Sequence, residues 1–402
     1  MAVRVPLFSA LTLPGAEHNL LPGPVMEARA VSPHAIRDRV EFLLRSAGVE
    51  PNGPAPHDVR ILDPRFYQRV ARSGTLGFGE SYVDGDWECD RLDEAVYRLV
   101  RSGARRVNGL RDFGRRAAAI FTNPGRPSRA FEVGERHYDL GHDLFAWMLG
   151  PRMAYSCAYW KEATDLESAQ EAKLDLVCRK LGLRPGMRLL DVGCGWGSLV
   201  LFAAERYGVS ALGITVSREQ QEWAQEAAGA LPVRIELRDY RSLDAGTFDA
   251  VASVGMFEHV GRKNYGTFFD VVRRHLTPEG LFLLHTIGGN ESSSTIDPWI
   301  ERYIFPNGLI PSLAQIAEAA EGRFVVEDVH NFGADYEKTL LAWSANVEAH
   351  RAELAARYGE RFLRMWRFYL LSCAGAFRAR YNNLLQVVLS PSGVPGGYHA
   401  PR

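Results

Sequence analysis

The sequence predicts an α/β protein in which a parallel sheet carries helices on both faces. From about residue 185, short apolar runs alternate with amphipathic segments of helical spacing, from MRLLDVG and SLVLFAAERYG through to GLFLLHTI. This alternation is typical of parallel strands joined by helical crossovers. Two long helical stretches are predicted at 335–357 and 360–380, and LLQVVLS then predicts a last strand that closes the sheet.

A smaller, mainly helical domain is predicted before the sheet, over residues 33–121. SPHAIRDRVEFLLRSAG opens it with helix-start signals, whereas YQRVARSGTLGFGESYVDGDWECD is rich in glycine and aromatic residues and is interpreted as turns. The segment TNPGRPSRA at 122–130 is interpreted as a linker to the α/β domain at 131–402. Residues 1–32 lack the apolar core of a signal peptide and are expected to be a flexible tail.

The composition excludes several classes of function. Lys and Arg number 47 and Asp and Glu 48, so the net charge of −1 gives no general attraction to nucleic acid. No apolar run approaches the roughly 20 residues that span a bilayer. The five cysteines are widely spaced without a CxxC pair, which indicates neither a disulfide framework nor a metal site and favours a reducing cytoplasm.

A glycine-rich turn, LLDVGCGWGS, lies between a predicted strand and a predicted helix. Such a turn lets the backbone approach a ligand closely at a helix N-terminus. A dinucleotide fingerprint would have its third glycine where Ser198 stands, and an acid where the next strand ends in Thr215. The pattern therefore favours a nucleoside that carries an amino acid, S-adenosylmethionine. The expected cofactor residues here are Asp191, Gly193, Cys194, Gly195, Gly197, Thr215 and Gln220.

The third strand of the sheet is followed by RDY at 238–240. In folds of this kind an adenine contact falls at this place, so Asp239 and Tyr240 join the expected cofactor residues. The other reading of Asp239 is a solvated loop acid.

Seven ordered motifs resemble bacterial cyclopropane-fatty-acyl-phospholipid synthases, in the wider cyclopropane and mycolic acid synthase family. They are HYDLGHDLFAWMLGPRMAYSCAYW, LLDVGCGWGSL, GMFEHVGRKNY, LLHTIG, DPWIERYIFPNG, NFGADYEKTLLAW and CAGAFRAR. The resemblance runs from about residue 35 to the C-terminus, and His142 departs from it, because the family usually has Asn there. It implies a Rossmann-like methyltransferase sheet that adds the methyl of S-adenosylmethionine to a cis double bond of a phospholipid acyl chain. Loss of a proton from the added carbon then closes a cyclopropane ring.

This chemistry needs a dry site, because methylation of an isolated alkene leaves a carbocation, and it needs a base. Glu258 and His285 follow apolar runs and are expected at the carboxyl edge of the sheet, where open α/β sheets bind ligands. The resemblance implies that five positions hold a bicarbonate ion that takes the proton: Cys157, Glu258, His285, Ile287 and Tyr336. It also implies that Tyr155 and Ser156 contact the cofactor.

Three further side chains near these motifs receive other interpretations. We expect His285 to be able to carry the proton that Glu258 and the anion must share, whereas the neighbouring His259 is interpreted as a structural histidine. The family was at one time assigned a cysteine nucleophile at Cys373, which places it in the catalytic set. The reaction needs no covalent enzyme intermediate, so a buried thiol is the better physical interpretation.

The expected partner is unsaturated phospholipid, reached by peripheral association with the inner face of the cell membrane. The apolar insertion at 297–313 is either the mouth of an acyl tunnel or an ordinary cover over the sheet. Seven arginines between Tyr97 and Arg116 face either anionic lipid or another protein surface, including a second subunit of a possible homodimer. Methyl branching without ring closure is the nearest alternative function. A non-catalytic binding protein and a methyltransferase of protein or nucleic acid are disfavoured.

Overall fold

The computed structural model describes residues 32–103 and 141–402. The predicted tail, except its last residue, and the linker at 122–130 lie outside these ranges. Of the seven clustered arginines, Arg98 and Arg101 lie inside them, and Arg98 forms an ion pair with Glu94 at 2.8 Å. The other five lie outside the described residues.

The described N-terminal part is mainly helical, with one small antiparallel sheet. Its elements are α1 (Pro33–Ser46), β1 (Arg60–Ile61), α2 (Arg65–Ser73), α3 (Thr75–Val83), β2 (Trp87–Glu88) and α4 (Leu92–Arg101). Helix α1 begins where Ser32 accepts a hydrogen bond from the backbone N–H of Ala35, and Pro33 occupies the first turn.

The C-terminal part is a seven-stranded sheet with flanking helices, as predicted. Its first elements are α5 (His142–Leu149), α6 (Leu166–Lys180), β3 (Arg188–Val192), α7 (Ser198–Tyr207), β4 (Ser210–Thr215), α8 (Arg218–Ala228), β5 (Val233–Leu237), β6 (Phe248–Val254), α9 (Tyr265–His275) and β7 (Leu276–Gly289). The remaining elements are α10 (Pro298–Tyr303), α11 (Leu313–Ala320), β8 (Val325–Asn331), α12 (Asp335–Ala349), α13 (Arg351–Tyr358), α14 (Glu360–Arg378) and β9 (Asn382–Ser390).

The strands are arranged in the order β5-β4-β3-β6-β7-β9-β8. The five strands β5, β4, β3, β6 and β7 are parallel to one another, whereas β9 is antiparallel to both β7 and β8. The last strand of the chain therefore lies inside the sheet, and β8 forms its edge. The prediction that LLQVVLS forms the last strand of the sheet is confirmed, and the structure adds that this strand, β9, lies between β7 and β8.

The glycine-rich segment after α1 forms two helices, so its interpretation as turns is wrong. Helices α2 and α3 pack so closely that a Cβ on Gly77 would lie 2.0 Å from the carbonyl oxygen of Arg69. A Cβ on Gly79 would lie 2.4 Å from Cδ1 of Trp299. Gly77 and Gly79 serve close packing between elements, whereas Gly74 and Gly85 have positive φ values, of +57° and +82°, at the ends of α2 and α3.

The insertion at 297–313 packs inward. Trp299 and Ile300 on α10 are buried, and the ring centroid of Trp299 lies 4.6 Å from that of Phe368 on α14. The backbone N–H of Leu309 donates to the carbonyl oxygen of Glu258 at 2.7 Å. The insertion therefore packs against α3 and α14 and reaches the backbone of Glu258. Within the described residues, no helix is both long enough and apolar enough to cross a bilayer.

One hydrophobic core extends from the N-terminal helices to α12 and α14. Helix α14 crosses α4 at Gly375, where a Cβ would lie 2.4 Å from the carbonyl oxygen of Asp93 and 2.9 Å from the backbone nitrogen of Tyr97. At the same crossing, Arg378 donates to the carboxylate of Asp93 at 2.9 Å. The N-terminal helices are thus held against the sheet domain by backbone-to-backbone packing.

We expect the substitution Gly375→Ala to lower the free energy of unfolding by about 1–3 kcal/mol, the usual cost of overpacking, because the backbone of α4 blocks the added methyl. The matched control is Gly266→Ala on α9, where the added Cβ would approach only the side chain of Arg323, at 3.2 Å. The control should be neutral or stabilising, since alanine favours helix. Urea denaturation of both variants measures this, and equal stability would contradict the packing argument.

Candidate active site

The glycine-rich turn joins β3 to α7 and forms a backbone cradle. Gly193, Gly195 and Gly197 have φ values of +84°, +55° and +79°, which side chains other than glycine rarely adopt. A Cβ on Gly193 would lie 2.5 Å from Cβ of Met256, whereas the space beside Gly195 is open as far as Nε2 of Gln220 at 4.0 Å. Gly195 is therefore the point at which a ligand can approach the backbone most closely.

A cavity opens beside this turn at the carboxyl edge of the sheet. All but one of the residues predicted to bind the cofactor line it: Tyr155, Ser156, Asp191, Gly193, Cys194, Gly195, Thr215, Gln220, Asp239 and Tyr240. The exception is Gly197, where a Cβ would lie 3.0 Å from Cβ of Ala224. Gly197 allows α7 to pack against α8 and does not line the cavity.

Asp191 and Lys173 bring opposite charges to the cavity wall. Burial raises the pKa of Asp191 to about 7, and its Oδ1 has no hydrogen-bond partner. Burial lowers the pKa of Lys173 to about 8, and its Nζ donates to Oγ of Ser156 at 2.8 Å. Lys173 belongs to none of the motifs in the sequence. The one signal in the sequence is its spacing, because it lies at helical distance from the apolar Val177, which the structure shows to be buried as well.

The end of β4 carries neutral hydrogen-bonding groups, as the sequence indicated. Oγ1 of Thr215 donates to Oε1 of Gln220 at 2.9 Å, and both side chains are buried. The backbone N–H of Gln220 donates to Oγ of Ser217, which caps α8. The pair fixes the Gln220 amide on the cavity wall.

Asp239 lines the cavity but is not a solvated acid. Its Oδ1 accepts hydrogen bonds from the backbone N–H and from Nε of Arg241, at 2.9 and 2.8 Å. The neighbouring Tyr240 hydroxyl is buried without a hydrogen-bond partner, and burial raises its pKa to about 12. The Tyr240 hydroxyl is therefore the group on this loop that can form a hydrogen bond with a ligand in the cavity.

Glu258 lies in a short helical turn (Phe257–His259) after β6, and His285 lies on the neighbouring strand β7. Oε1 of Glu258 accepts from the backbone N–H of Ile287 at 2.8 Å, and Nδ1 of His285 lies 3.2 Å from Nε2 of Gln386. The second polar atoms, Oε2 of Glu258 and Nε2 of His285, are buried without hydrogen-bond partners. Burial raises the pKa of Glu258 and lowers that of His285 well below its usual value. Both groups therefore favour their neutral forms.

Tyr336 lies at the start of α12, close to the other predicted catalytic side chains. It is fully buried, which raises the pKa of its phenol well above the usual value, and the nearby Cys157, Glu258 and Cys373 raise it further. Cys157 is held beside this helix, because the backbone N–H of its neighbour Ala158 donates to Oγ1 of Thr339 on α12 at 3.1 Å. Burial also raises the pKa of the Cys157 and Cys373 thiols well above the usual value.

Two histidines adjoin the cavity without belonging to this group. His259 lines the cavity, and its ring centroid lies 5.8 Å from that of Phe305. His142 begins α5, and its ring contacts Trp196 and Trp223, with ring centroids 5.5 and 5.7 Å away. The two tryptophan rings also contact each other, at 5.8 Å, so the three rings form one cluster that includes Trp196 of the glycine-rich turn. No motif in the sequence predicts this contact of His142.

The sequence matches a family of lipid-modifying enzymes. The profile of the family described as mycolic acid cyclopropane synthetase matches residues 126–387. The chain is 54% identical over 362 residues to the cyclopropane-fatty-acyl-phospholipid synthase of Escherichia coli strain K12, a match that covers 90% of this chain and 94% of that protein. These findings confirm the resemblance drawn from the seven motifs.

Solved structures support the same relationship. The cyclopropane synthase MmaA2 from Mycobacterium tuberculosis matches with a TM-score of 0.61 and 33% identity, over 64% of this chain and 97% of that one. The mycolic acid cyclopropane synthase CmaA1, complexed with SAH and CTAB, matches with a TM-score of 0.60 and 36% identity, over the same two fractions. These similarities confirm the α/β fold.

We expect Gly195→Val to abolish binding of S-adenosylmethionine, because a branched side chain would fill the cradle and disfavour the positive φ. The matched control is Gly229→Val, which has a similar φ of +50° after α8 but nothing within 4 Å of its Cβ. The control should lose stability and keep its affinity. Titration calorimetry on the folded variants measures both, and undiminished affinity in Gly195→Val would exclude this turn as the cofactor site.

Proposed function

Because the chain belongs to the mycolic acid cyclopropane synthetase family, we propose that it converts unsaturated phospholipid acyl chains into cyclopropane fatty acids. The one-carbon unit comes from S-adenosylmethionine and is added across a cis double bond. One observation carries the proposal. The cavity at the sheet edge adjoins a dehydrated group of polar side chains, since the lining residues Ser156 and His259 are the chain neighbours of Cys157 and Glu258.

The cavity residues fit S-adenosylmethionine, which supplies a methyl group when bound. The open side of Gly195 admits a ligand against the backbone, and the unpartnered Oδ1 of Asp191 can accept from an ammonium group. The Gln220 amide and the Tyr240 hydroxyl offer neutral hydrogen bonds for a nucleoside. The CmaA1 structure complexed with SAH supports this assignment.

The surroundings of Glu258 suit a reaction through a carbocation. Such a cation is captured by water unless water is excluded, and Glu258, His285 and Tyr336 are each at most 1% exposed. Aromatic rings line the same region, with the Tyr336 and Phe377 centroids 4.4 Å apart. The π faces of such rings attract a positive charge without reacting with it.

The unpartnered atoms of Glu258 and His285 fit bicarbonate, which supplies a base when bound. Two buried polar atoms without partners are costly unless a polar ligand completes them. Glu258 beside an anion would be repelled if both were charged, so one proton is shared. From the sequence, His285 is expected to be able to carry this proton. The directions of the two pKa shifts favour Glu258 instead, and leave neutral His285 to orient the ligand.

The buried cysteines act as thiols in this proposal. A nucleophilic cysteine needs its thiolate, and burial disfavours the thiolate of Cys373. Its place on α14 near Tyr336 makes it part of the wall around the reacting carbons. This supports a ring closure that involves no covalent bond to the enzyme.

The substrate lies in a bilayer, so the protein must reach it by peripheral association. The insertion at 297–313 extends from the site to α3 and α14, and its Pro306 and Asn307 line the cavity. This position suits the entrance of an acyl chain next to the cofactor. The alkyl detergent CTAB in the CmaA1 complex is consistent with such an entrance.

Mass spectrometry of lipids tests the proposed function. A host that lacks cyclopropane fatty acids is expected to gain chains one CH₂ heavier, at the expense of unsaturated chains, when it expresses the protein. These chains should resist hydrogenation under conditions that saturate a double bond, and fragmentation should show a ring rather than a methyl branch. An unchanged lipid profile with folded, expressed protein would contradict the proposal, and a branched product would favour the alternative.

We expect Glu258→Gln and His285→Ala each to lower turnover by at least about 100-fold, the scale of lost acid–base assistance, with cofactor affinity nearly unchanged. Cys373→Ser is the matched control in the same wall and should retain much of the activity. Steady-state kinetics with calorimetry of cofactor binding measures these effects. If the Cys373→Ser variant folds and binds the cofactor but is inactive, the result would support Cys373 as a nucleophile and contradict this proposal.

A further inference from the structure

The segment 153–160 carries site residues but forms neither a helix nor a strand. It contains Tyr155, Ser156 and Cys157, and the last of these is fully buried together with its neighbour Ala158. Buried backbone N–H groups need acceptors, and outside a sheet these come from side chains or from other loops. The hydrogen bonds of this segment therefore show which parts of the fold determine its position.

One hydroxyl on α12 accepts two of these hydrogen bonds. Oγ1 of Thr339, which is fully buried, accepts from the backbone N–H of Ala158 at 3.1 Å and from the Nε1–H of Trp160 at 2.9 Å. It donates its own proton to the carbonyl oxygen of Asp335 at 2.9 Å. A hydroxyl has one proton and two lone pairs, so the hydroxyl of Thr339 is fully used. An ordinary helix threonine forms only the bond to the carbonyl four residues earlier.

The carboxylate of Asp335 holds the same part of the segment. Its Oδ2 accepts from the backbone N–H of Trp160 at 2.8 Å. Tyr336 follows Asp335 in the chain, and Thr339 lies three residues after Tyr336 on the same helix. The helix that carries Tyr336 is therefore attached by three hydrogen bonds to the segment that carries Cys157.

Helix α6 holds the first half of the segment independently. Nε2 of Gln170 donates to the carbonyl oxygens of Ala154 and Ser156, at 3.2 and 3.0 Å. These hydrogen bonds precede Cys157 in the chain, whereas those from α12 follow it. Gln170 therefore fixes the cofactor side of the segment, and the bonds from α12 fix the distance between Cys157 and Tyr336.

We propose that Thr339 is a positioning residue for the ring-closing reaction, which holds the backbone of Cys157 at a fixed distance from Tyr336. Thr339 does not line the cavity, so it acts through the segment that it holds. A displacement of reacting groups by about 1 Å is enough to slow an enzymatic reaction greatly. The inference rests on the proposed function, because it assumes that Cys157 and Tyr336 act on the same reacting carbons.

Ser81 provides a matched control in the N-terminal part of the protein. Its hydroxyl is fully buried, accepts from the Nε1–H of Trp87 at 3.0 Å and donates to the carbonyl oxygen of Phe78 at 2.9 Å. Like Thr339, it joins a helix carbonyl to a tryptophan indole. Both of its partners lie in the N-terminal part, on α3 and β2, and Ser81 does not line the cavity.

The test compares Thr339→Val, which keeps the shape and loses the hydroxyl, with Thr339→Ser, which keeps the hydroxyl. Thr339→Val should lower kcat at least about 10-fold, while KM for dispersed unsaturated phospholipid and the calorimetric affinity for S-adenosylhomocysteine change by less than about 3-fold. Cofactor affinity should persist because Gln170 still holds Ser156. Thr339→Ser should retain most of the turnover. Ser81→Ala should lose stability in urea denaturation and keep the kcat of the wild type.

The outcomes separate this inference from the proposed function. If the wild type forms no cyclopropane product, the proposed function fails, and the inference fails with it. If the wild type is active, the inference alone is overturned by any of three results: folded Thr339→Val keeps its kcat, Thr339→Ser is as slow as Thr339→Val, or Ser81→Ala is equally slow. If Thr339→Val does not fold, Trp160→Phe replaces it, because it removes one of the three bonds. Its kcat should fall several-fold, and an unchanged kcat would overturn the inference.

Discussion

The structure of this protein depends on one constraint, which is that ionisable side chains at the carboxyl edge of the sheet are buried away from water. Asp191 lies near the end of β3, Glu258 follows β6, and His285 on β7 pairs with the last residue of β6, and all three side chains are buried. Each ionised group in such a place costs several kcal/mol unless it is neutralised or paired. The fold meets this cost with burial that favours the neutral forms of Glu258 and His285, and it leaves Oδ1 of Asp191 on the wall of a cavity.

The N-terminal helices and the insertion also pack in a way that excludes water from the protein interior. Trp299 and Phe368 fill the space between α3 and α14, and Gly375 brings α4 against α14 at backbone contact. The apolar cover and the sheet share a single core, so the cover cannot separate without exposing that core. The mainly helical N-terminal part is therefore joined to the sheet domain through one hydrophobic core, although it is a separate stretch of sequence.

Local sequence signals predicted the sheet and the glycine-rich turn, because a strand, a turn and a helix are adjacent in the chain. Long-range contacts had no such signal. Gly77 and Gly375 serve contacts with other helices, so their role could not be read from their neighbours in sequence. Lys173 resembles an ordinary helix lysine until the fold shows what faces it. Asp239 lines the cavity, but its pairing with Arg241 depends on a side-chain conformation that the sequence leaves open.

The position of β9 links the order of synthesis to the completion of the site. This strand follows every other described strand in the chain, yet both of its edges are paired, with β7 on one side and β8 on the other. Before β9 is made, β7 and β8 each lack a hydrogen-bonded neighbour, and His285 lacks its contact with Gln386. The residues of the glycine-rich turn therefore precede, by almost 200 positions, the strand that completes the sheet beside His285. A chain that ends before β9 would contain the turn but would leave the sheet open at β7.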